Sequence, residues 1–205
     1  MCGFVEPSAG SLVFDGQPFR PRPHQLSRRG IVRTLQGVGL FAGLPVVENV
    51  MAGATHTSRV GFFSALLALP RSDRDERRLR AEAMALLEEL GVAGYAAAFP
   101  DTLPYAVRKR VALARALVAR PRLLLLDEPA GGLSAEDIEE LATLIVGLPE
   151  RGCSVMLVEH HMDLVMKVCT DIVVLDFGRV IASGTPAEIR DDPAVTEAYL
   201  GAEVS

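Results

Sequence analysis

The sequence has no tryptophan, only three cysteines and no apolar run that approaches the roughly 20 residues needed to span a bilayer. Cys2, Cys153 and Cys169 form no CxxC pair, so the sequence predicts neither a disulfide framework nor a zinc site and favours a reducing compartment. The first residues also lack the basic start and apolar stretch of a secretory signal. We therefore expect a cytoplasmic protein with no transmembrane segment of its own.

A basic surface is missing as well. The net charge is −5 at pH 7, which argues against a nucleic-acid partner, because such binding depends on neutralising phosphates. Hydrophobic residues make up 49% of the 205 residues, and a chain of this length and composition can build one sizeable core with an appendage.

Helical and strand patterns alternate in the second half of the chain. Apolar spacing predicts helices over 73–90, 107–119 and 135–148, with short apolar strands at 123–126 and 154–159. This rhythm is typical of parallel β-α-β units, so the predicted fold class is α/β. Hairpins are expected near both ends of the chain: a strand entering the Asp15-Gly16 turn, and strands at 171–176 and 179–183 around Phe177-Gly178. A buried strand is expected at 31–34, ending near Gln36, and helices at 186–190 and through Tyr199 follow the second hairpin.

Two adjacent carboxylates, Asp127 and Glu128, end the apolar run Leu123 to Leu126. Ligands of open α/β sheets bind at the carboxyl ends of the strands. One carboxylate there can hold Mg²⁺ while its neighbour, which points elsewhere, orients an attacking water. Taken alone, the pattern is equally typical of a strand with a solvated end.

The surrounding residues favour the chemical interpretation. The gapless stretch from Arg108 to Pro129 resembles the segment of ABC ATPases that runs from the signature helix into the Walker B strand. An isolated histidine at a strand end is more often structural, but His160 follows the strand Ser154 to Glu159 as the family's switch histidine does. The resemblance implies that Asp127 binds Mg²⁺, that Glu128 is catalytic and that His160 contacts the γ-phosphate of ATP, whereas His161 is a bystander.

Residues 33–50 indicate which subfamily of ABC ATPases the chain resembles. Arg33 to Gln36 is similar to the family's Q-loop, which implies that Gln36 reaches the metal, and the run Leu40 to Val50 looks like the corresponding segment of branched-chain amino-acid importers. The ending Gly184 to Ile189 agrees. The resemblance implies an ATP-binding subunit on the inner face of the cell membrane that pairs with a homologous subunit beneath two permease subunits.

One motif of the family is missing. A Walker A loop needs Gly-x-x-x-x-Gly-Lys followed by Ser or Thr, yet the only lysines are Lys109 and Lys167, and neither follows a glycine. We expect a P-loop NTPase-like parallel sheet that lacks its Walker A strand, an absence that should leave unpaired groups beside Leu123 to Leu126. We also expect the chain alone to bind MgATP poorly.

The signature and D-loop positions complete the expected site. The signature segment is degenerate, with Pro104, Ala106 and Val107 where the family has serine, glycine and glutamine; its five residues are Leu103, Pro104, Tyr105, Ala106 and Val107. The D-loop, close to the family form, comprises Gly132, Leu133 and Ser134. The basic run 108–110 is interpreted as a solvated helix face.

The sequence divides into an N-terminal β part over 1–36, a helical subdomain over 37–119 and a core over 120–205. Three hypotheses follow. The chain is a transporter ATPase whose N-terminal piece lies upstream or is encoded separately; it is a non-hydrolysing module that binds permeases or a paralogous ATPase; or it is a relic without a stable fold.

Overall fold

The computed structural model describes residues 2–34, 38–54 and 70–202, and within the helices it leaves out the side chains of residues 70–73 and 199–202. The helices of the described ranges are α1 (Val46–Ala52), α2 (Pro70–Glu89), α3 (Tyr105–Leu117), α4 (Ala135–Gly147), α5 (Met162–Val168), α6 (Pro186–Arg190) and α7 (Pro193–Ala202). The strands are β1 (Val13–Phe14), β2 (Gln17–Pro18), β3 (Ile31–Arg33), β4 (Leu123–Asp127), β5 (Ser154–Val158), β6 (Ile172–Asp176) and β7 (Arg179–Gly184).

The centre of the molecule is a parallel sheet in the order β3-β4-β5. Ile31 pairs with Leu123 on one side of β4, and Leu123 pairs with Ser154 on the other. Leu124, Leu125 and Leu126 are all buried, as expected for a strand covered on both faces. β4 therefore places Asp127 at the carboxyl edge between two neighbours.

Helices cover one face of this sheet. The largest hydrophobic cluster joins α1, α2 and α3 to Leu124 and Leu126 of β4 and to Ile145 of α4. On the opposite face, Leu125 packs with Leu26 and Ile31. β4 is thus the element that the two layers share.

Antiparallel hairpins form at both ends of the chain. β1 pairs with β2 through a turn in which Asp15 and Gly16 have φ of +53° and +70°, the left-handed values that this type of turn requires. β6 pairs with β7 through a turn at Phe177 and Gly178. Both hairpins were predicted from their turn residues.

The α/β fold with a parallel sheet, antiparallel strands and helices is confirmed, and the predicted helices and strands lie within about three residues of their observed bounds. Helix α1 was not predicted.

One further expectation is wrong: β4 has no free edge beside Leu123 to Leu126, because β3 and β5 occupy both sides. A strand buried on both faces is typical of the middle of a sheet, and among the described residues β3 and β5 are the edge strands. No helix of the described ranges is both long enough and apolar enough to span a membrane.

Candidate functional site

The two predicted carboxylates lie where β4 ends, Asp127 as its last residue and Glu128 directly after it. Glu128 has a φ of +46°, a left-handed value that is unusual outside glycine. Its N–H donates to the carbonyl of Val158 at 2.9 Å, so the chain leaves the sheet immediately after Asp127. The divergence of the two carboxylates stays a prediction, and Glu128 lies where the strand has already ended.

Asp127 is held by an arginine from the neighbouring strand. Arg33 Nη2 donates to Asp127 Oδ2 at 2.6 Å, and both side chains are partly buried. The hydrogen bond to Asp127 raises the pKa of Arg33, which keeps the guanidinium charged. No bond from Arg33 to the second carboxylate oxygen, Oδ1, is present among the described residues. A hard cation prefers such an oxygen ligand, so this carboxylate fits Mg²⁺.

Glu128 and His160 approach each other across the same edge. His160 Nδ1 lies 4.0 Å from Glu128 Oε1, and both side chains are well exposed. This distance is too long for a direct hydrogen bond and short enough for a shared water or phosphoryl oxygen. The structure therefore brings together three of the predicted site residues, Asp127, Glu128 and His160.

A buried carboxylate that the sequence analysis did not single out fixes this edge. The side chain of Glu159 is 0% exposed. Its Oε1 accepts from the N–H of Ala130 at 2.8 Å, and its Oε2 accepts from the N–H groups of His160 and His161 at 2.8 and 3.1 Å. Burial raises the pKa of Glu159, but hydrogen bonds from His161, Ala130 and His160 outweigh it and leave that pKa below its ordinary value.

His161 also contacts this carboxylate. Its Nδ1 lies 3.0 Å from Glu159 Oε2, and its ring centroid lies 4.5 Å from that of His160. One ligand atom from each of Glu159, His160 and His161 lies within 4.8 Å of the others, although Glu159 is already satisfied by N–H donors. That His161 is a bystander in the chemistry stays a prediction; its ring contacts the carboxylate that also binds the His160 N–H.

The basic run 108–110 is not a plain solvated face, because all three side chains are partly buried. Lys109 Nζ donates to the carbonyls of Pro129 at 2.7 Å and Glu128 at 3.2 Å. Burial lowers the pKa of Lys109, while Glu159 and Glu128 oppose that shift. Arg110 bonds Asp137 at 2.8 Å and Glu140 at 2.5 Å. Lys109 thereby joins helix α3 to the loop after β4, and Arg110 joins it to helix α4.

The degenerate signature segment begins helix α3. Leu103 is buried, and Pro104 precedes the first helical residue without providing a side-chain cap. The Tyr105 ring lies 5.3 Å from Lys109 Nζ, while Ala106 borders a small cavity and Val107 packs against the main core. The start of this helix is therefore shaped by packing rather than by a hydroxyl cap.

The predicted D-loop contacts the signature segment within the chain. Gly132 has a φ of +73°, and a Cβ there would lie 3.0 Å from Cε1 of Tyr105. Leu133 lines the same cavity of about 60 Å³ that borders Ala106 and Asp127. Ser134 caps α4, since its Oγ accepts from the N–H of Asp137 at 3.2 Å. Glycine is required here both by its φ and by the tyrosine ring.

Gln36 lies outside the described residues. The functional roles assigned to all of these residues remain predictions. Arg33 and Lys109 were missed because their partners, Asp127 and Glu128, are distant in sequence. Glu159 carried a usable signal, since a carboxylate directly after an apolar strand and before a loop often binds backbone N–H groups.

With this geometry in place, comparison with known proteins identifies the class. The sequence model of the ABC transporter family matches residues 1–131, and that of the branched-chain amino acid ATP-binding cassette transporter matches residues 179–205. The high-affinity branched-chain amino acid transport ATP-binding protein BraF of Pseudomonas aeruginosa is 38% identical over 203 residues, which are 98% of this chain and 80% of BraF. LivG of Escherichia coli K12, described in the same words, is 36% identical over the same lengths.

Solved structures agree on the fold. A nucleotide-free ATP-binding cassette from an ABC transporter superposes with a TM-score of 0.79 at 24% identity, covering 97% of this chain and 79% of the cassette. CbiO1 from Clostridium perfringens, part of the ABC transporter complex cbiONQ, gives 0.74 at 27% identity, covering 98% and 77%. The chain belongs to the ABC transporter ATP-binding family, and within it to the branched-chain amino acid type.

Proposed function

We propose that this chain is the ATP-binding subunit of an ABC importer for branched-chain amino acids or related solutes, and that it couples ATP hydrolysis to their transport. The observation that carries the proposal is the convergence of Asp127, Glu128 and His160 at one edge of the parallel sheet. The branched-chain type of the family supports the choice of solute. The subunit acts at the inner face of the membrane, bound to permease subunits and to a homologous ATP-binding subunit.

Each side chain has a separate task in this proposal. Asp127, and Gln36 by its position in the sequence, hold Mg²⁺, which neutralises charge on the triphosphate when bound. Glu128 orients the attacking water, and His160 hydrogen-bonds the γ-phosphate. Glu159 acts through His160, because its buried carboxylate binds the His160 N–H and so sets where that ring stands.

The signature segment and the D-loop face the partner subunit in this proposal. Leu103 to Val107 and Gly132 to Ser134 contribute to the site of the homologous subunit, and Tyr105 against Gly132 fixes their relative position. The division into an N-terminal β part (1–36), a helical subdomain (37–119) and a core (120–205) remains part of the proposal.

Hydrolysis by the complete complex tests the proposal. We expect ATPase activity of this chain, assembled with its permeases and partner subunit in proteoliposomes, to fall by about 100-fold or more in Glu128→Gln, because the water loses its orienting carboxylate. The matched control is Glu136→Gln, an exposed carboxylate on the first turn of α4, which should leave the rate within about twofold. Activity that survives Glu128→Gln would contradict the assigned role.

A second candidate function is a non-hydrolysing module that binds permeases or a paralogous ATPase. One observation favours it: Pro104 and Ala106 stand at the signature positions where the family has serine and glycine. Co-purification with the permeases without ATP hydrolysis, and without any effect of Glu128→Gln on transport, would support this function over the first.

A further inference from the structure

The loop that carries Glu128 has its main-chain N–H groups held by β5 and by the residue after β5. Glu128 has a left-handed φ of +46°, which a residue other than glycine keeps only where the surrounding structure enforces it. Its N–H donates to the Val158 carbonyl at 2.9 Å. Two residues further on, the Ala130 N–H donates to Glu159 Oε1 at 2.8 Å. These two bonds fix the donor groups of the loop.

The carbonyl groups of the same loop are held by a lysine of helix α3. Lys109 Nζ donates to the Pro129 carbonyl at 2.7 Å and to the Glu128 carbonyl at 3.2 Å. The Glu128 carbonyl also accepts from the Gly131 N–H at 3.3 Å, which closes a turn. Two carbonyl oxygens that converge on one point repel each other unless a donor lies between them. The ammonium group of Lys109 is such a donor.

Together these contacts fix the direction of the Glu128 side chain. Because each peptide unit is planar, the Cα–Cβ bond of a residue takes its direction from the two peptide planes beside it. The plane before Glu128 is held through its N–H by Val158, and the plane after it is held through its carbonyl by Lys109. If Lys109 is lost, the backbone of Glu128 can relax from its left-handed conformation, and the carboxylate moves with it. The distance of 4.0 Å between Glu128 Oε1 and His160 Nδ1 therefore depends on Lys109.

The two neighbours of Lys109 in the basic run have other partners. Arg110 Nη2 donates to Asp137 Oδ1 of α4 at 2.8 Å, and the Arg108 guanidinium lies 5.6 Å from the centroid of the Tyr105 ring. Successive side chains of an α-helix point about 100° apart, so the three basic side chains face different surroundings. The middle one faces the loop after β4.

We propose that Lys109 is a positioning residue for hydrolysis, which holds the carbonyls of Glu128 and Pro129 and so keeps the Glu128 carboxylate where it can orient water. Lys109 lies one helical turn after Tyr105, whose ring is 5.3 Å from Lys109 Nζ and lies against Gly132. In the proposed function this start of α3 faces the partner subunit, so Lys109 also links Glu128 to the subunit interface. The inference rests on the proposed function, because it assigns a role in the reaction of that same site.

Hydrogen exchange of the full chain by itself tests the hold on the loop without nucleotide. Lys109→Met removes the donors and the charge but keeps a side chain of similar size. We expect the Ala130 and Gly131 amides to exchange at least about tenfold faster in this variant, because the turn that contains them is no longer held. The Leu125 amide in the middle of β4 should exchange as in the parent chain, which distinguishes a loosened loop from a loss of the fold. Lys109→Arg, which keeps a charge and donors, should stay within about threefold of the parent at all three amides.

Kinetics of the complete complex in proteoliposomes test the role in the reaction. For Lys109→Met we expect kcat to fall by about 30-fold while the KM for ATP stays within about twofold, since the variant disturbs the orientation of water and not the binding of nucleotide. Lys109→Arg should return kcat to within about threefold of the parent complex. The double variant Lys109→Met/Glu128→Gln should be no slower than Glu128→Gln alone, because a residue that acts through Glu128 has no effect once that carboxylate is gone.

The matched control is Lys167→Met. Lys167 is the only other lysine of the sequence, and its exposed ammonium group pairs with Glu139. The control removes the same charge from the chain without touching the loop after β4. We expect it to leave kcat, KM and the exchange of the loop amides within about twofold of the parent values.

Four results would overturn the inference: a kcat of Lys109→Met equal to that of the parent complex; a kcat that Lys109→Arg fails to restore; a double variant much slower than Glu128→Gln; or equal acceleration of exchange at Gly131 and Leu125, which would mean that Lys109 stabilises the whole fold. Failure of the proposed function gives a different pattern. In that case the parent complex shows no ATPase activity that depends on Glu128, while Lys109→Met still accelerates exchange of the loop amides in the chain alone.

Discussion

Glu159 illustrates how much one buried side chain organises at the residue scale. Its two oxygens accept hydrogen bonds from the loop after β4, at Ala130, and from the loop after β5, at His160 and His161. These two loops carry the proposed catalytic groups. A buried carboxylate that is fully hydrogen-bonded stabilises the folded state, and an incomplete network destabilises it.

We expect Glu159→Gln to lower the free energy of unfolding by about 1–3 kcal/mol at pH 7, because the neutral amide accepts weaker bonds and its NH₂ faces N–H donors. The folded-state pKa of Glu159 is depressed, so its stabilisation is present above the ordinary glutamate pKa and is lost as pH falls through the folded value. The difference between parent and variant should therefore shrink on acidification. Urea unfolding at several pH values measures it.

The control for this prediction is Glu150→Gln, an exposed glutamate in the turn after α4, which should change stability by less than about 0.5 kcal/mol. A constant difference between Glu159→Gln and the parent chain from pH 7 to pH 4 would show that the charge of Glu159 is not what stabilises the two loops.

What the sequence predicts at this scale depends on how far apart the partners lie. Asp127, Glu128 and His160 follow apolar strands directly, and parallel strands bring their carboxyl ends together, so their convergence follows from local pattern alone. Arg33 reaches Asp127 across 94 positions, and Lys109 reaches Glu128 across 19. Such pairs depend on sheet order and helix docking, which no local pattern contains.

At the scale of elements, β4 is the strand on which the sheet depends. Leu124, Leu125 and Leu126 are buried, and its neighbours β3 and β5 both pair with it. Its run of four leucines predicts such a buried strand. The sheet order was not predictable in the same way, because nothing in the sequence of β5 distinguishes a central strand from an edge strand. The order is defined by the pairing of β5 with β4, and the exposed Met156 and Val158 agree with an edge position.

We expect Leu124→Ala to lower the free energy of unfolding by about 2–5 kcal/mol, because Leu124 is 0% exposed and truncation leaves a cavity under the helices. Val173→Ala, on the exposed side of β6, is the control and should cost less than about 1 kcal/mol. Equal losses for the two variants in urea titrations would mean that Val173 is as well covered as Leu124, contrary to its 59% exposure.

At the scale of the whole molecule, one hydrophobic cluster crosses the proposed division between helical subdomain and core. It includes Val47 of α1, Leu87 of α2 and Val111 of α3 together with Leu126 of β4 and Ile145 of α4. The smaller C-terminal cluster is joined to the sheet through Leu157. Segments that share buried side chains in this way are expected to unfold together.

We therefore predict a single cooperative unfolding transition, with calorimetric and van't Hoff enthalpies equal within error. Leu87→Ala, in the helical part, should lower the melting temperature of the entire transition, by several degrees for a loss of about 2–5 kcal/mol. The measurement is differential scanning calorimetry of both proteins. If Leu87→Ala instead splits the trace into a shifted and an unshifted peak, then the helical part folds on its own, and the cluster shared by α2 and β4 is an interface between two units rather than one core.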